Sequence, residues 1–404
     1  MSLLIEGKAI QGVKDERCHY CMNEEKELFH QFYHHRFEKE VIYCRACIRM
    51  TYSSTETFYD LLELPDVVDD VEYQLDFELT DQQQYASHEI VETVIKGGRK
   101  LLHAVTGAGK TEMILEGIKV ARQNGQSVAL VSPRVDVVKE LFLRMSDYFN
   151  TEIDVLYQGQ TLKYSSTFVI STVQQLVKYQ HHFGLVIVDE VDAFPLPMDE
   201  RLQKTIERAA EKDAAIIYLT ATPPKKMQKD MQDVTVVLPA RYHRRPLPVP
   251  SYKYLSKRRL MKGGLTPFLK RRPDTYLLVF FNNISDMEEA AEVYSDFSPV
   301  TVYASDALRH EKVEAIRAGH HAIIFTTTIL ERGFTMANLD VYVIGAESYT
   351  AECLVQMSGR VDRKFIPYNG TVKFFHDGVS RDMQLAVKEI RTMNLNAKKR
   401  GWID

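Results

Sequence analysis

The sequence Ala104-Val-Thr-Gly107-Ala-Gly109-Lys110-Thr111 decides the fold of this chain. It follows an apolar pair, Leu101 and Leu102, and precedes a segment over residues 112–123 that has the pattern of a helix. A glycine-rich loop between a strand and a helix is typical of a phosphate-binding loop. Its small residues let backbone N–H groups turn towards phosphate oxygens, and the helix that follows adds its positive end. The loop therefore predicts a site for a nucleoside triphosphate.

Two residues at the end of this loop carry its expected chemistry. Lys110 is placed to reach the β- and γ-phosphates, and Thr111 is placed to bind Mg²⁺. A chance glycine-rich turn is the alternative, and the strand and helix patterns on either side argue against it. The residues expected to hold the nucleotide are Thr106, Gly107, Ala108, Gly109, Lys110 and Thr111.

The composition is that of a globular protein with more than one domain. The chain has 404 residues, of which 45% are hydrophobic and 26% are charged, and this length predicts two or three domains. Its 51 basic and 55 acidic residues give a net charge of −4, so any nucleic-acid binding has to come from a local cleft. No apolar run approaches the roughly 18 residues that span a membrane, and the start does not resemble a signal peptide. We expect a cytoplasmic protein, and peripheral association with the cytoplasmic membrane face stays open.

Short apolar strands alternate with helical segments along most of the chain. This alternation predicts parallel sheets covered by helices on both faces. The strands expected in the first half are 101–103, 127–132, 167–171, 185–188 and 214–219. Those expected in the second half are 276–281, 300–303, 322–326, 341–344 and 371–375. Helices are expected at 112–123, 135–149, 172–179, 307–318 and 381–393.

The predicted fold class is α/β, with two tandem lobes built on parallel sheets and a small module before them. A stretch rich in proline, glycine and basic residues separates the two lobes. The predicted domains are a four-cysteine zinc module at 1–55, a linker at 56–78, an ATP-binding lobe at 79–238, a basic inter-lobe segment at 239–273, and a second lobe with a C-terminal helix at 274–404.

The acidic run Asp189-Glu190-Val191-Asp192 directly follows the apolar strand 185–188. In α/β sheets, ligand sites lie beyond the carboxyl ends of strands. We therefore expect Asp189 to bind Mg²⁺ and Glu190 to polarise the attacking water. Thr220 and Thr222 follow the next apolar strand and are expected to hydrogen-bond Asp192. A solvated acidic loop is the alternative reading.

Two arginines near the chain end are candidates for charge stabilisation in the transition state. Arg360 and Arg363 are spaced to share one face of a helix. Facing a γ-phosphate, they would act as arginine fingers and raise the rate by about 10³-fold or more. An ordinary charged surface helix is the alternative, and in isolation it would be favoured.

Four of the five cysteines form two C-x-x-C pairs, which are Cys18 with Cys21 and Cys44 with Cys47. In a reducing compartment this spacing indicates a metal site rather than disulfides. Four thiolates match a structural zinc ribbon and leave no open position for catalysis. Free thiols or an iron–sulfur centre are the alternatives. The module has interleaved basic and aromatic residues, which would suit a nucleic-acid surface, but the same aromatic residues could equally form its small core. Whether the module binds DNA or a protein partner stays open.

The order of the motifs in the two lobes resembles the core of superfamily-2 helicases. The motifs are AVTGAGKT at 104–111, DEVD at 189–192, TAT at 220–222, TTTILERG at 326–333 and QMSGRVDR at 356–363. This resemblance implies two RecA-like lobes that bind ATP and Mg²⁺. It implies nucleotide contacts from Gln83, Gly333 and Gln356. It also implies nucleic-acid backbone contacts from Ser132, Arg134, Thr172 and Thr327.

With its four-cysteine module and the sequence DEVDAF at 189–194, the chain more closely resembles the ComFA family of late-competence DNA-uptake ATPases. This resemblance implies an ATP-driven motor stimulated by single-stranded DNA, with Zn²⁺ in the module and other DNA-uptake proteins as partners. One departure is Asp362, which stands where a glycine is common and is placed to pair with Arg360 or Arg363 and change their geometry.

Three other functions remain open at this stage. A replication-restart type of DNA helicase also carries zinc and a related motif, but it needs further DNA-binding domains. A nucleotide-switched scaffold for uptake or recombination proteins would bind ATP without DNA-stimulated turnover. An RNA helicase fits the motif variants less well. Unwinding of a forked duplex would identify the restart type, and negligible DNA-stimulated turnover would identify the scaffold. Comparing stimulation of the ATPase by DNA and by RNA would test the RNA helicase.

Overall fold

The computed structural model describes residues 8–48, 52–61, 68, 70–164, 166–331, 334–363 and 368–403. Its contacts divide the chain into two units. The first unit contains residues 1–103 and 110–237, and the second contains residues 104–109 and 238–404. Among the described residues, no helix combines the length and the apolar character needed to cross a membrane.

The N-terminal part of the first unit is a small module of short antiparallel strands. The strands of this module are β1 (Lys8–Gln11), β2 (Val13–Lys14), β3 (Arg17–Cys18), β4 (Phe29–His34), β5 (Lys39–Cys44) and β6 (Phe58–Leu61). Strand β1 pairs with β6, β2 pairs with β3, and β4 pairs with β5. The core of this module is little more than Val13 and the four paired cysteines, so it is too small to be stabilised by apolar burial alone.

The rest of the first unit is built around a seven-stranded sheet. In chain order its elements are α1 (Asp81–Lys96), β7 (Gly98–Ala104), α2 (Lys110–Met113), α3 (Leu115–Gln123), β8 (Ser127–Ser132), α4 (Val135–Tyr148), β9 (Asp154–Leu156), β10 (Phe168–Thr172), β11 (Phe183–Asp189), α5 (Glu200–Ala209), β12 (Ala210–Thr220), α6 (Lys225–Asp230) and β13 (Thr235–Leu238). The sheet order is β13-β7-β12-β11-β8-β10-β9. Strands β7 to β12 run parallel, so their carboxyl ends share one edge.

The second unit is built around a six-stranded parallel sheet with the order β14-β19-β18-β15-β17-β16. Its elements are β14 (Ser251–Tyr254), α7 (Lys257–Leu260), α8 (Thr266–Leu269), β15 (Tyr276–Phe280), α9 (Ile284–Val293), β16 (Val300–Val302), α10 (Arg309–Arg317), β17 (Ile323–Thr326), β18 (Leu339–Ile344), α11 (Ala351–Ser358), β19 (Val372–His376) and α12 (Arg381–Lys399). Alternate residues of β15 enter two separate apolar clusters, with Leu278 in one and Leu277 in the other. Both faces of this sheet are therefore covered, as its continuous apolar strands predict.

The predicted fold class is confirmed, and the differences are local. The segment 173–178 is a 3-10 helix rather than an α-helix. The helix expected from residue 112 is interrupted at Ile114, between α2 and α3. Residues 251–254, which the sequence assigned to the inter-lobe stretch, form the edge strand β14 of the second sheet. Strand β14 forms because it pairs with β19, so tertiary pairing outweighs local composition there.

Candidate functional site

The glycine-rich loop has the backbone conformation that its sequence predicts. Gly107 and Gly109 both have φ of +80°, a region that residues with a Cβ rarely enter. Lys110 begins α2 directly after the loop. Within the second unit, Arg241 lies beside Gly107, with side-chain atoms 3.6–3.7 Å from the position where a Cβ on that glycine would stand.

Arg241 belongs to the basic segment 239–273, but it is buried, with 1% of its surface exposed. Its guanidinium donates to the backbone carbonyls of Thr106 (3.2 Å), Gly359 (3.2 Å), Val361 (2.7 Å) and Asp362 (2.9 Å). Burial among these neutral acceptors lowers the pKa of Arg241 to about 10. Four carbonyls in two loops therefore accept hydrogen bonds from all three guanidinium nitrogens of Arg241.

Thr111 lies in a network that the motifs do not predict. Nη1 of Arg144, in α4, donates to Thr111 Oγ1 at 2.9 Å. Nη2 of the same side chain donates to Oε1 of Glu112. The hydroxyl of Tyr148 donates to that oxygen at 3.2 Å. Arg144 was missed because a single arginine 33 residues beyond Thr111 carries no pattern of its own.

Asp189 ends β11, at the carboxyl edge of the first sheet. Burial raises the pKa of Asp189, and the nearby charge of Lys110 opposes this rise. The backbone N–H of Glu190 donates to Asp189 Oδ1 at 2.9 Å, and Glu190 itself has φ of +53°. The pair Thr111 and Asp189 offers only oxygen atoms, which are the ligands that Mg²⁺ prefers. Bound Mg²⁺ would neutralise developing phosphate charge, and these residues fit such an ion.

The predicted contact between the acidic run and the next strand is confirmed. Thr220 Oγ1 and Thr222 Oγ1 each donate to Asp192 at 2.6 Å, one to each carboxylate oxygen. Thr220 ends β12, which lies next to β11 in the sheet. Asp192 is therefore fixed by the strand that follows, as its spacing from Thr220 suggested.

Gln83 is the third residue of α1 and forms a capping box with Thr80. Gln83 Oε1 accepts from the backbone N–H of Thr80 at 3.0 Å, and the N–H of Gln83 donates to Thr80 Oγ1 at 3.4 Å. This cap fixes the first turn of α1. Its predicted contact with the nucleotide stays a prediction, now with its carboxamide oxygen engaged in the cap.

The two candidate fingers do not share a helix face, so that part of the prediction is wrong. Helix α11 ends at Ser358, and both Arg360 and Arg363 lie beyond it. Arg360 is 3% exposed and its Nη1 donates to the carbonyl of Phe334 at 2.6 Å. Gln356 is 5% exposed within α11. Gly333, the other predicted nucleotide contact of this unit, lies outside the described residues.

Asp362 does not pair with the fingers as expected. Its carboxylate accepts from the backbone N–H of Gly370 at 3.1 and 3.2 Å, and Arg245 lies 3.9 Å away. Burial raises the pKa of Asp362, while these contacts oppose the rise. Asp362 has φ of +52°, so it occupies a position where glycine is favoured and closes a turn instead of altering Arg360.

The predicted nucleic-acid contacts differ in exposure. Ser132 and Thr172 are paired neighbours at the carboxyl ends of β8 and β10, and they are 0% and 5% exposed. Burial of Ser132 argues against a direct contact from its hydroxyl. Arg134 caps α4 and forms an ion pair with Asp136 at 2.8 Å. Thr327 directly follows β17 and is partly exposed. The contacts to DNA stay a prediction.

The four paired cysteines converge in the module. All four sulfur atoms lie within 4.8 Å of one another, and all four residues are at most 2% exposed. Cys18 Sγ is 3.8 Å from Cys47 Sγ, and Cys21 Sγ is 3.6 Å from Cys44 Sγ. A tetrahedral zinc with Zn–S bonds of about 2.3 Å requires sulfurs roughly 3.8 Å apart. The cluster therefore fits zinc.

Arg208, at the end of α5, joins this module to the first sheet. It is 6% exposed and its Nη1 donates to the carbonyl of Val177 at 3.0 Å. Tyr59 of β6 lies near the same guanidinium, whose charge partly offsets the effect of burial in raising the pKa of Tyr59. A cavity of about 440 Å³ separates the two parts beside this contact and is lined by His19, His181 and Lys204 among others. The motifs gave no signal for this junction.

Three known domain families match the chain. The N-terminal domain of the competence protein ComFA matches residues 3–60. The family described as type III restriction enzyme, res subunit, matches residues 76–225, and the helicase conserved C-terminal domain matches residues 258–364. These matches cover nearly all of the module and most strands of both sheets.

Several known proteins are similar to the chain over most of its length. The competence protein ComFA of Bacillus subtilis is 36% identical over 402 residues, which is 95% of this chain and 86% of that protein. ComFA of Streptococcus pneumoniae is 36% identical over 375 residues, with coverage of 88% and 86%. Yeast Dbp5 bound to RNA and ADP–BeF₃ is 12% identical, with a TM-score of 0.54 and coverage of 78% of this chain and 91% of that chain. This last likeness shows the fold alone.

Proposed function

Since the chain belongs to the ComFA family of competence proteins, we propose that it is a motor that uses ATP hydrolysis to move single-stranded DNA during DNA uptake. Its helicase-type domains already make it a helicase-type ATPase. The observation that carries the proposal is the placement of Thr111 and Asp189 at one edge of the first sheet, with Lys110 close enough to influence the Asp189 carboxyl. This edge offers the groups that phosphoryl transfer requires.

In the proposed reaction, each residue has one role. Lys110 binds the β- and γ-phosphates, while Thr111 and Asp189 hold Mg²⁺. Glu190 orients the attacking water. Arg360 and Arg363 stabilise the charge that develops on the γ-phosphate. Gln83, Gly333 and Gln356 contact the nucleotide, and Arg134, Thr172 and Thr327 contact the DNA backbone.

The zinc site has a structural role in this proposal. Four thiolates fill the tetrahedron and leave no position for substrate, so the metal supplies folding energy to a segment with a very small core. We propose that other DNA-uptake proteins are partners and that the motor acts at the cytoplasmic face of the membrane. Family membership supports both points, and no single residue identifies the partner surface.

Steady-state ATPase activity tests the proposal. The full-length protein is assayed without nucleic acid and with single-stranded DNA, duplex DNA or RNA. We expect strong stimulation by single-stranded DNA and a loss of about a hundredfold or more in Lys110→Ala and Glu190→Gln. Equal rates in all four conditions, with nucleotide binding intact, would contradict the motor and support a nucleotide-switched scaffold.

Translocation is measured separately from hydrolysis. Displacement of streptavidin from a biotinylated single strand reports movement, and a forked duplex reports unwinding. We expect displacement without efficient unwinding, because the proposed motor moves along one strand and does not separate two. Efficient unwinding of the fork would instead favour the replication-restart type of helicase.

A further inference from the structure

A side chain outside all of the motifs contacts the hydroxyl expected to bind Mg²⁺. Arg144 donates from Nη1 to Thr111 Oγ1 at 2.9 Å and from Nη2 to Glu112. Thr111 and Glu112 are buried, at 9% and 8% exposed. Arg144 itself is half-buried, with 35% of its side chain exposed. The planar guanidinium therefore bridges the first two side chains after the phosphate-loop lysine, both in the first unit.

This contact fixes the orientation of the Thr111 hydroxyl. A threonine hydroxyl has one O–H donor and two lone pairs, and a guanidinium can only donate. Arg144 therefore occupies one lone pair, and the O–H hydrogen has to point away from it. One lone pair remains for a cation, in a direction set by the Arg144–Oγ1 bond. Without this bond the hydroxyl could rotate among staggered positions.

The local charges allow an arginine next to a cation site. Burial works against the charge of Arg144, but Glu112, Tyr148 and Glu140 outweigh it and raise the pKa of Arg144. The carboxylate of Glu112 balances the guanidinium charge, so the pair repels Mg²⁺ much less than a lone arginine would. Tyr148 fixes the same carboxylate oxygen from the next turn of α4. Only a guanidinium can donate from two nitrogens in one plane to both Thr111 Oγ1 and Glu112 Oε1. A lysine ammonium group at this position cannot do so.

We propose that Arg144 is a positioning residue that orients Thr111 for Mg²⁺ and so sets the affinity of the protein for the magnesium–nucleotide complex. This inference rests on the proposed function, because it assumes that Thr111 binds the metal. Arg144 touches neither phosphate nor metal in the proposal. It acts through the threonine hydroxyl, while its bond to Glu112 keeps the guanidinium in place.

The test measures nucleotide binding instead of turnover. A fluorescent ADP analogue is titrated into the full-length wild type, Arg144→Ala and Arg144→Lys, over a range of Mg²⁺ concentrations and in EDTA. We expect Arg144→Ala to raise the Mg²⁺ concentration for half-saturation by about tenfold, the size of one charged hydrogen bond. Its affinity in EDTA should stay within about twofold of the wild type. Arg144→Lys should give an intermediate shift, because it keeps the charge but loses the fork.

Tyr148→Phe is the matched control, because it removes a hydrogen bond to Glu112 and leaves both bonds of Arg144. We expect this control to bind like the wild type at every Mg²⁺ concentration. Equal weakening of Arg144→Ala with and without Mg²⁺ would show a merely structural role and overturn the inference. An unchanged Mg²⁺ dependence would also overturn it. If wild-type binding does not depend on Mg²⁺ at all, the proposed function fails first, which separates the two failures.

Discussion

The two edges of the first sheet differ in function and in how clearly the sequence identifies their residues. At the carboxyl edge, Asp189 and Thr220 end neighbouring strands, and their spacing in the sequence brings their loops together. At the amino edge, the module meets Arg208, which lies two residues before the start of β12. No motif marks that junction. The seven residues of β11 separate the two edges by roughly 20 Å.

This separation indicates that zinc and nucleotide act in different places. The cysteine cluster is closed and buried, so it contributes stability rather than chemistry. The carboxyl edge gathers carboxylates whose ionisation burial disfavours, as the raised pKa of Asp189 shows. The zinc module at the amino edge therefore contributes stability, while the buried charge of Asp189 at the carboxyl edge lowers it. The predictions for Asp189 and Cys44 below perturb one edge and measure an effect at the other, and the last prediction tests the junction itself.

The largest effect is expected from Asp189→Asn. We expect hydrolysis to fall by about a hundredfold or more, since the ionised oxygen for Mg²⁺ is lost. The same change should raise the melting temperature at pH 7.5, because it removes a buried carboxylate. Zinc content should be unchanged, since the module lies at the other edge. Activity assays, calorimetry and metal analysis check the three outcomes.

The stability gain of Asp189→Asn should be largest at high pH and should decrease as the pH falls. The pKa of Asp189 is raised in the folded protein, so the folded state binds this proton more tightly than the unfolded chain does. The penalty of the ionised group is therefore complete above the raised pKa, and it disappears as pH falls towards the ordinary value near 4. The difference in unfolding free energy between variant and wild type should shrink over that range. A constant or growing difference would contradict the assigned cause.

The second effect is expected from Cys44→Ala. Removing one of four ligands should abolish stable zinc binding and unfold the module, because the metal supplies its folding energy. Nucleotide affinity should stay within about threefold of the wild type, a loss below 1 kcal/mol. Metal analysis, circular dichroism and binding of fluorescent ADP are the measurements.

Cys353→Ala is the control for this variant, because Cys353 lies in α11 of the second unit. It should keep the full zinc content. A large loss of nucleotide affinity in Cys44→Ala alone would show that the two edges are coupled more strongly than their separation suggests.

The sequence predicted the carboxyl edge much better than the amino edge. Both ends of strand 127–132 were predicted correctly. In an α/β chain, a short continuous apolar run between turn signals indicates a buried parallel strand. The bonds from Thr220 and Thr222 to Asp192 followed from parallel strands, since consecutive strand ends meet at one edge. The four cysteines were found because metal geometry imposes their spacing.

The side chains that were missed are single arginines held by tertiary contacts, two of them buried and Arg144 half-buried. Arg144, Arg208 and Arg241 lie far in sequence from the groups they contact, as with the 135 residues between Arg241 and Thr106. Composition suggests that arginines lie at the surface, and no local pattern indicates which of them will be buried against carbonyls. The prediction that Arg360 lies on a helix was wrong for another reason. Helix α11 ends at Ser358, and the chain turns at Asp362, which has a positive φ.

The smallest effect is expected at the junction between the module and the sheet. Arg208→Ala removes a buried donor to the Val177 carbonyl and leaves the Tyr59 hydroxyl without its neighbour. We expect a loss of about 1–3 kcal/mol in unfolding free energy and faster release of zinc to a chelator. Denaturant unfolding and a chelator time course measure these two quantities.

Lys204→Ala is the matched control for the junction, because it lies on the same helix and lines the same cavity but is exposed. Its effect should stay within about 0.5 kcal/mol. If both variants release zinc at the wild-type rate, the module holds its metal independently of the sheet. The amino edge would then be a place of attachment only, and Arg208 would not link zinc retention to the ATP-binding lobe.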